Sequence, residues 1–296
     1  FFSESSGRSS NNSYVHNNPE TNRKYLEYIY TQRETFIKNP ITEYCDKKRI
    51  RDIGWCEDGT MLISTYSDSG EVIARNDQFI TIAEKDGLSI SRCRVAIELS
   101  NRNIVIGTAK GLNIVTIDRS KQDLQKWKID NIKTYTKTDG LTNDFIMCLY
   151  EDKEGNLWVG TDGGGINIID KEGKIVKILT DKDGLAGNVI FKIFQDKNGV
   201  FWINTGSGMT RYDKEREHFY SFNRSSGLQS DAIFQLIIDR SDVGWMTENG
   251  GLCSVPMSQL NDMANGKKIQ LEIKQYNKSD GLLPGGVTST SYTCID

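Results

Sequence analysis

The chain has 296 residues, 37% hydrophobic and 26% charged, with a formal net charge of −3: enough material for one large core or two smaller ones. That charge gives no electrostatic case for nucleic acid or an anionic membrane as partner, and no run approaches the roughly 18 apolar residues of a membrane span. Six scattered cysteines (Cys45, Cys56, Cys93, Cys148, Cys253, Cys294), with no C-x-x-C and no histidine nearby, exclude a zinc or redox motif and leave the compartment open.

Residues 1–20 are rich in Ser and Asn and read as a loop-like end. The chain begins at Phe1 rather than Met, so flanking signals are expected outside it. Tyr25, Leu26, Ile29 and Tyr30 suit one face of a short helix within Thr21 to Phe36. Lys47-Lys48-Arg49 with Arg51 is the densest basic run and reads as a solvated turn leading into a strand.

From Arg49 onward a repeat takes over. Asp-Gly-Leu occurs at 86–88, 139–141, 183–185 and 280–282, with Ser226-Gly227-Leu228 as a variant. Apolar runs follow at Phe145 to Leu149, Val189 to Phe194 and Ala232 to Ile238, too apolar for surface strands and too short for helices. Each leads to an Asp turn and then a strand whose Trp stands six residues after the Asp: Asp152 and Trp158, Asp196 and Trp202, Asp239 and Trp245. The copies are 44 and 43 residues apart. Glycine turns come next, then third strands such as Ile166 to Ile169 and Thr210 to Tyr212. More polar fourth strands close the unit at Ile175 to Thr180, His218 to Phe222 and Ile269 to Tyr276.

Four antiparallel strands every ~40–50 residues predict an all-β fold, a β-propeller of four-stranded blades. The expected blades span about 45–86, 88–138, 141–182, 185–225 and 228–279, and a sixth starts at 282–296. Residues 1–44 form a loop-rich segment that either completes a blade or marks the chain as part of a longer propeller. The insertion Pro256 to Lys268 reads as a short helix capped by Ser258 and stopped by Gly266.

The unit resembles the two-component regulator propeller repeat. Asp183-Gly184-Leu185 with Asn188, then Asp196, Gly199, Trp202 and Thr205, carry the likeness, as does Gly155-Asn156-Leu157-Trp158-Val159-Gly160-Thr161. It covers about 45–296 and is strongest between 139 and 252. Departures are the missing Asp-Gly-Leu before the first blade, Asn101-Arg102-Asn103 where a turn glycine belongs, and Glu248 in a Thr position. The resemblance implies the periplasmic, ligand-sensing part of a bacterial transmembrane receptor. Its kinase or cyclase output would lie outside this chain. It further implies a neighbouring propeller or Ig-like domain and a homodimer in the whole protein.

Residue by residue, little chemistry competes with that reading. Trp158, Trp202 and Trp245 recur mid-strand and are expected to pack between blades rather than stack on sugars. The glycine turns lack the Lys and helix start of a phosphate loop, and the Asp turns lack the Glu of a calcium loop. No cofactor and no metal are expected. Only His16 and His218 could serve in catalysis, and neither has a partner at readable spacing. The loops entering the inner strands bring Asn143, Asp144, Asn188 and Asp231 to one face with Asp162, Ser207 and Glu248 from the second turns. There they would hydrogen-bond a small molecule such as a carbohydrate, bridged to a neighbouring domain, although turn capping is the plainer role for any one of them. Two other classes remain: a propeller lyase acting on a polysaccharide or a streptogramin-type cyclic peptide, and a protein-interaction scaffold.

Overall fold

The computed structural model describes residues 38–248, 251–267, 269–276 and 280. The helix expected within Thr21 to Phe36, the sixth blade start, His16 and Cys294 lie outside the described residues.

Among the described residues, twenty strands form five antiparallel sheets of four, each a meander in sequence order. The first sheet is β1 (Ile50–Trp55), β2 (Met61–Thr65), β3 (Glu71–Arg75) and β4 (Gln78–Ile82); the second is β5 (Cys93–Glu98), β6 (Ile104–Thr108), β7 (Gly111–Asp118) and β8 (Lys128–Tyr135). The third is β9 (Ile146–Glu151), β10 (Leu157–Thr161), β11 (Ile166–Ile169) and β12 (Ile175–Leu179). The fourth is β13 (Ile190–Gln195), β14 (Phe201–Thr205), β15 (Gly208–Asp213) and β16 (His218–Phe222). The fifth is β17 (Ile233–Ile238), β18 (Val243–Glu248), β19 (Gly251–Pro256) and β20 (Lys274–Tyr276). These are the blades of a β-propeller.

The fifth blade's last strand is shorter than the expected 269–276, and the expected third strand at 210–212 runs the whole of β15. The insertion after β19 is a helix, here α2 (Met257–Ala264), but Ser258 does not cap it. Pro256 holds the N-cap, with no side-chain cap, and Ser258 falls in the first turn. Gly266 follows the helix at φ +86°, the left-handed turn that ends it. A second short helix, α1 (Pro40–Cys45), was not expected; the Asn39 side chain accepts from Thr42 N at 2.8 Å and Pro40 starts its first turn.

The described chain divides into two compact units. One ends at Gly140 and takes in Asp144–Ile146; the other takes Leu141–Asn143 and continues from Met147. In the first, Leu62, Ile73 and Ile82 of one blade pack with Cys93, Ile104 and Ile106 of the next. In the second, Trp158, Phe201, Trp202, Tyr212, Phe222 and Met246 belong to one apolar cluster, into which Leu260 of α2 is tucked. Trp158 and Trp202 are fully buried, and Trp158 stacks on Phe201 of the following blade at 4.1 Å. That is the inter-blade packing expected of Trp158, whereas Trp202 stacks on Phe222 of its own blade at 6.2 Å. Trp245 is only half-buried, against Tyr276 of its own sheet.

Each Trp ring is also anchored by its own turn. The indole Nε1–H donates to Asp152 at 2.9 Å in the third blade, to Asp196 at 3.0 Å in the fourth and to Asp239 at 2.8 Å in the fifth. The other oxygen of the same carboxylate accepts turn N–H groups, from Glu154 and Asn156, Asn198 and Val200, and Ser241 and Val243. The six-residue spacing is therefore a hydrogen bond between a hairpin turn and the strand that follows it.

Candidate functional site

The Asp-Gly-Leu element, with Ser226 in the Asp place of the last copy, builds a fixed loop before the inner strands of the second to fifth blades. A single 3-10 turn forms at 84–86, 137–139, 181–183 and 224–226. Gly87, Gly140, Gly184 and Gly227 follow it at φ +102° to +116°, a region that disfavours any side chain. The buried leucines Leu88, Leu141, Leu185 and Leu228 then pin the loop to the core. The motif carboxylate faces backwards: Asp139 accepts from Thr136 N and Asp183 from Thr180 N, at 2.9 and 2.8 Å.

Seven residues later the next polar side chain closes the loop. Asp144 accepts from Lys137 N at 2.6 Å, Asn188 from Asp181 N at 2.8 Å and Asp231 from Arg224 N at 3.1 Å, with Ser91 doing the same for Glu84. Asp144, Asn188 and Asp231 thus spend one oxygen each on capping a turn. None of the three is fully buried.

Within the second unit the expected neighbours do meet. Asn143 Nδ2 donates to the Asp162 carbonyl, and the Asn188 carbonyl accepts from Gly163 N and Gly165 N at 3.1 and 2.9 Å. Asn143, the exposed Asp162 and Asn188 therefore form one continuous polar rim. Ser207 is exposed beside Gly187, where an added Cβ would lie 2.9 Å from its own. Asp231 adds a loose ion pair with Arg224 at 3.7 Å.

Glu248 departs from this picture. It is buried, with one oxygen accepting from Gln275 Nε2 at 3.3 Å and the other without a partner. Burial pushes its carboxyl above the usual range despite the nearby Arg224 charge and the Gln275 bond. It belongs to a second polar set in the fourth and fifth blades: Lys192 opposite Asn204, and Gln235 opposite Thr247. Both amide atoms of Asn204 and the Thr247 hydroxyl lack partners in this set. The sequence signal was a polar residue inside an otherwise apolar strand, as in Ile190-Phe191-Lys192-Ile193 and Trp202-Ile203-Asn204.

His218 is exposed on β16, with Asp213 opposite it in register. Among the described residues, no group of three His, Cys, Asp or Glu is arranged to hold a metal ion, and no helix is long and apolar enough to cross a membrane.

The two component regulator propeller family matches residues 140–163 and 184–207, each running from the glycine of one loop to the turn after the next Thr. Two of its repeats thus match the two-component regulator propeller model. No curated protein matches it in sequence. Among solved structures it is similar to the extracellular domain of a protein assigned as a hybrid two-component system of B. thetaiotaomicron, at TM-score 0.65 and 23% identity. That likeness covers 80% of this chain and 30% of that one. A second such domain from the same organism gives 0.58 and 16%, over 78% of this chain and 31% of that one. Virginiamycin B lyase from Staphylococcus aureus gives 0.55 and 14%, over 77% and 69%. At such identities the likeness is one of fold, and this chain spans about a third of the two-component domains.

Proposed function

We propose that this chain is part of the ligand-sensing, extracytoplasmic propeller region of a bacterial transmembrane signalling receptor. The observation that carries the reading is the family match on two successive repeats, in a fold shared with extracellular domains of hybrid two-component systems. The polar rim of Asn143, Asp162 and Asn188 supports it, because an exposed carboxylate beside partly exposed amides on hydrogen-bonded loops suits hydroxyl-rich ligands. In this reading Ser207 and Asp231 take part through the same loop set, and a neighbouring domain supplies the remaining contacts.

The lyase reading draws on the fold shared with virginiamycin B lyase. Against it stands the exposed His218 on an outer strand. Membrane placement tests the proposal. Expressed from its whole gene in a Gram-negative cell, the protein should fractionate with the inner membrane. These repeats should be cut by added protease once the outer membrane is opened. Recovery as a free cytoplasmic protein would refute the reading.

A further inference from the structure

Four arginines stand at matched places in the first unit. Arg49 and Arg51 flank Ile50 at the start of β1, and Arg92 and Arg94 flank Cys93 at the start of β5. The register makes these positions equivalent, since Ile50 lies opposite Thr65 and Cys93 opposite Thr108. In the later blades the same flanks are apolar: Phe145 and Met147, Val189 and Phe191, Ala232 and Phe234. The repeat pattern does not call for arginine there.

Tyr66, in the loop after β2, is their hub. Its backbone N–H donates to the Arg49 carbonyl at 2.8 Å, and it forms an isolated antiparallel bridge with Arg92. The guanidinium carbons of Arg51, Arg49 and Arg92 lie 5.3, 5.8 and 5.9 Å from its ring centroid. Stacking on an aromatic ring occupies the face of a guanidinium and leaves its in-plane N–H edge free to donate.

Arg49 and Arg92 are exposed and Arg51 is half-buried, with its own Nε shielded and lacking an acceptor. Among the described residues no carboxylate comes within ion-pair distance of Arg49, Arg51 or Arg92. Burial and the neighbouring Arg49 charge both hold Arg51 below the usual arginine range. Like charges are thus held together with donors to spare, an arrangement that a shared anion relieves by bidentate bonds.

We propose that Arg49, Arg51 and Arg92, set around Tyr66, form an oxyanion-binding site that takes the carboxylate or sulfate group of an acidic ligand. The site goes beyond the sensor reading and stands or falls without it. Titration calorimetry of the chain with potassium sulfate and with sodium galacturonate tests it, with potassium chloride at equal ionic strength and galactose as controls. Saturable heat is expected for sulfate, for galacturonate or for both, and none for the controls. A response to both marks a general oxyanion site; a response to galacturonate alone marks a sugar-acid site; either upholds the proposal. The double variant Arg49→Gln/Arg92→Gln alters two exposed side chains and should weaken binding at least ~10-fold while far-UV circular dichroism is unchanged. Arg51→Lys keeps the charge but loses the planar fork, and should also weaken it. No saturable response, or equal affinity in wild type and both variants, would overturn the proposal.

Discussion

Removing the Asp152 carboxylate probes how a blade is held together. The side chain is buried; one oxygen accepts from Trp158 Nε1 at 2.9 Å and from Lys214 Nζ at 3.2 Å. The other accepts from Glu154 N at 3.0 Å and Asn156 N at 2.8 Å. Asp152→Ala leaves the indole N–H of a fully buried ring unsatisfied, which costs about 1–3 kcal/mol. Charged bonds to Lys214 and the two turn amides are lost with it, although water can reach part of that turn. The sum is about 3–5 kcal/mol, the range for breaking a buried charged network.

Asp239→Ala makes the same cut at a turn nearer solvent, where Trp245 is half-buried, and should cost about 1–2 kcal/mol. Urea unfolding at constant slope measures both. A loss below about 1 kcal/mol at Asp152, or equal losses at the two turns, would show that the buried carboxylate does not hold the blade. The pH dependence gives a second check. Burial alone would raise the Asp152 carboxyl, but bonds from Trp158 and Asn156 and the Lys214 charge outweigh it and hold the group below the usual range. The unfolded carboxyl takes up its proton near about 3.9 while the folded one does not. The stability it provides is therefore present above that pH and lost as pH falls through the folded value. Wild-type and Asp152→Ala stabilities should converge on acidification.

Gly165 sits at φ +73° with an added Cβ 2.2 Å from the Leu179 carbonyl oxygen, whereas Gly163 at φ +92° has nothing within 4 Å. Gly165→Ala should cost about 3 kcal/mol or more and Gly163→Ala about 1–2, the left-handed term alone; equal melting temperatures would contradict this. Glu71 is wholly buried in the first unit, its Oε2 accepting from Ser64 at 2.8 Å, and burial, reinforced by the Asp52 charge, raises its carboxyl well above the usual range. The unfolded acid ionises near about 4.3 while the folded one keeps its proton, so its contribution falls as pH rises from there towards the folded value. Glu71→Gln should raise the melting temperature at neutral pH and flatten that fall; a lower melting temperature at neutral pH would count against it.

The blades were legible because their signals are local. Trp at a fixed distance from Asp, apolar runs of five to seven residues and glycines before buried leucines all lie within one repeat. The same locality limited the reading of the site. Asn188 and Asp231 could be placed on the loops, but their side chains turned out to bond back to the turn seven residues earlier. Glu248 was placed on the same loops as the others, yet it is buried, because its position replaces a strand-end Thr. The gathering of Arg49 and Arg92 on Tyr66 joins residues from two blades, which no local spacing reports. The basic run at 47–51 therefore read as a solvated turn.

The proposed function requires that these blades bind a ligand without altering it. Its most direct test is titration of this chain, and of the whole protein's region outside the membrane, with a panel of oligosaccharides and streptogramin-type peptides, each recovered afterwards and weighed by mass spectrometry. Saturable binding of an oligosaccharide is expected, weaker to this chain than to the larger region, with the ligand recovered unchanged. A protein-dependent unsaturated product, lost in the His218→Ala variant, would contradict it.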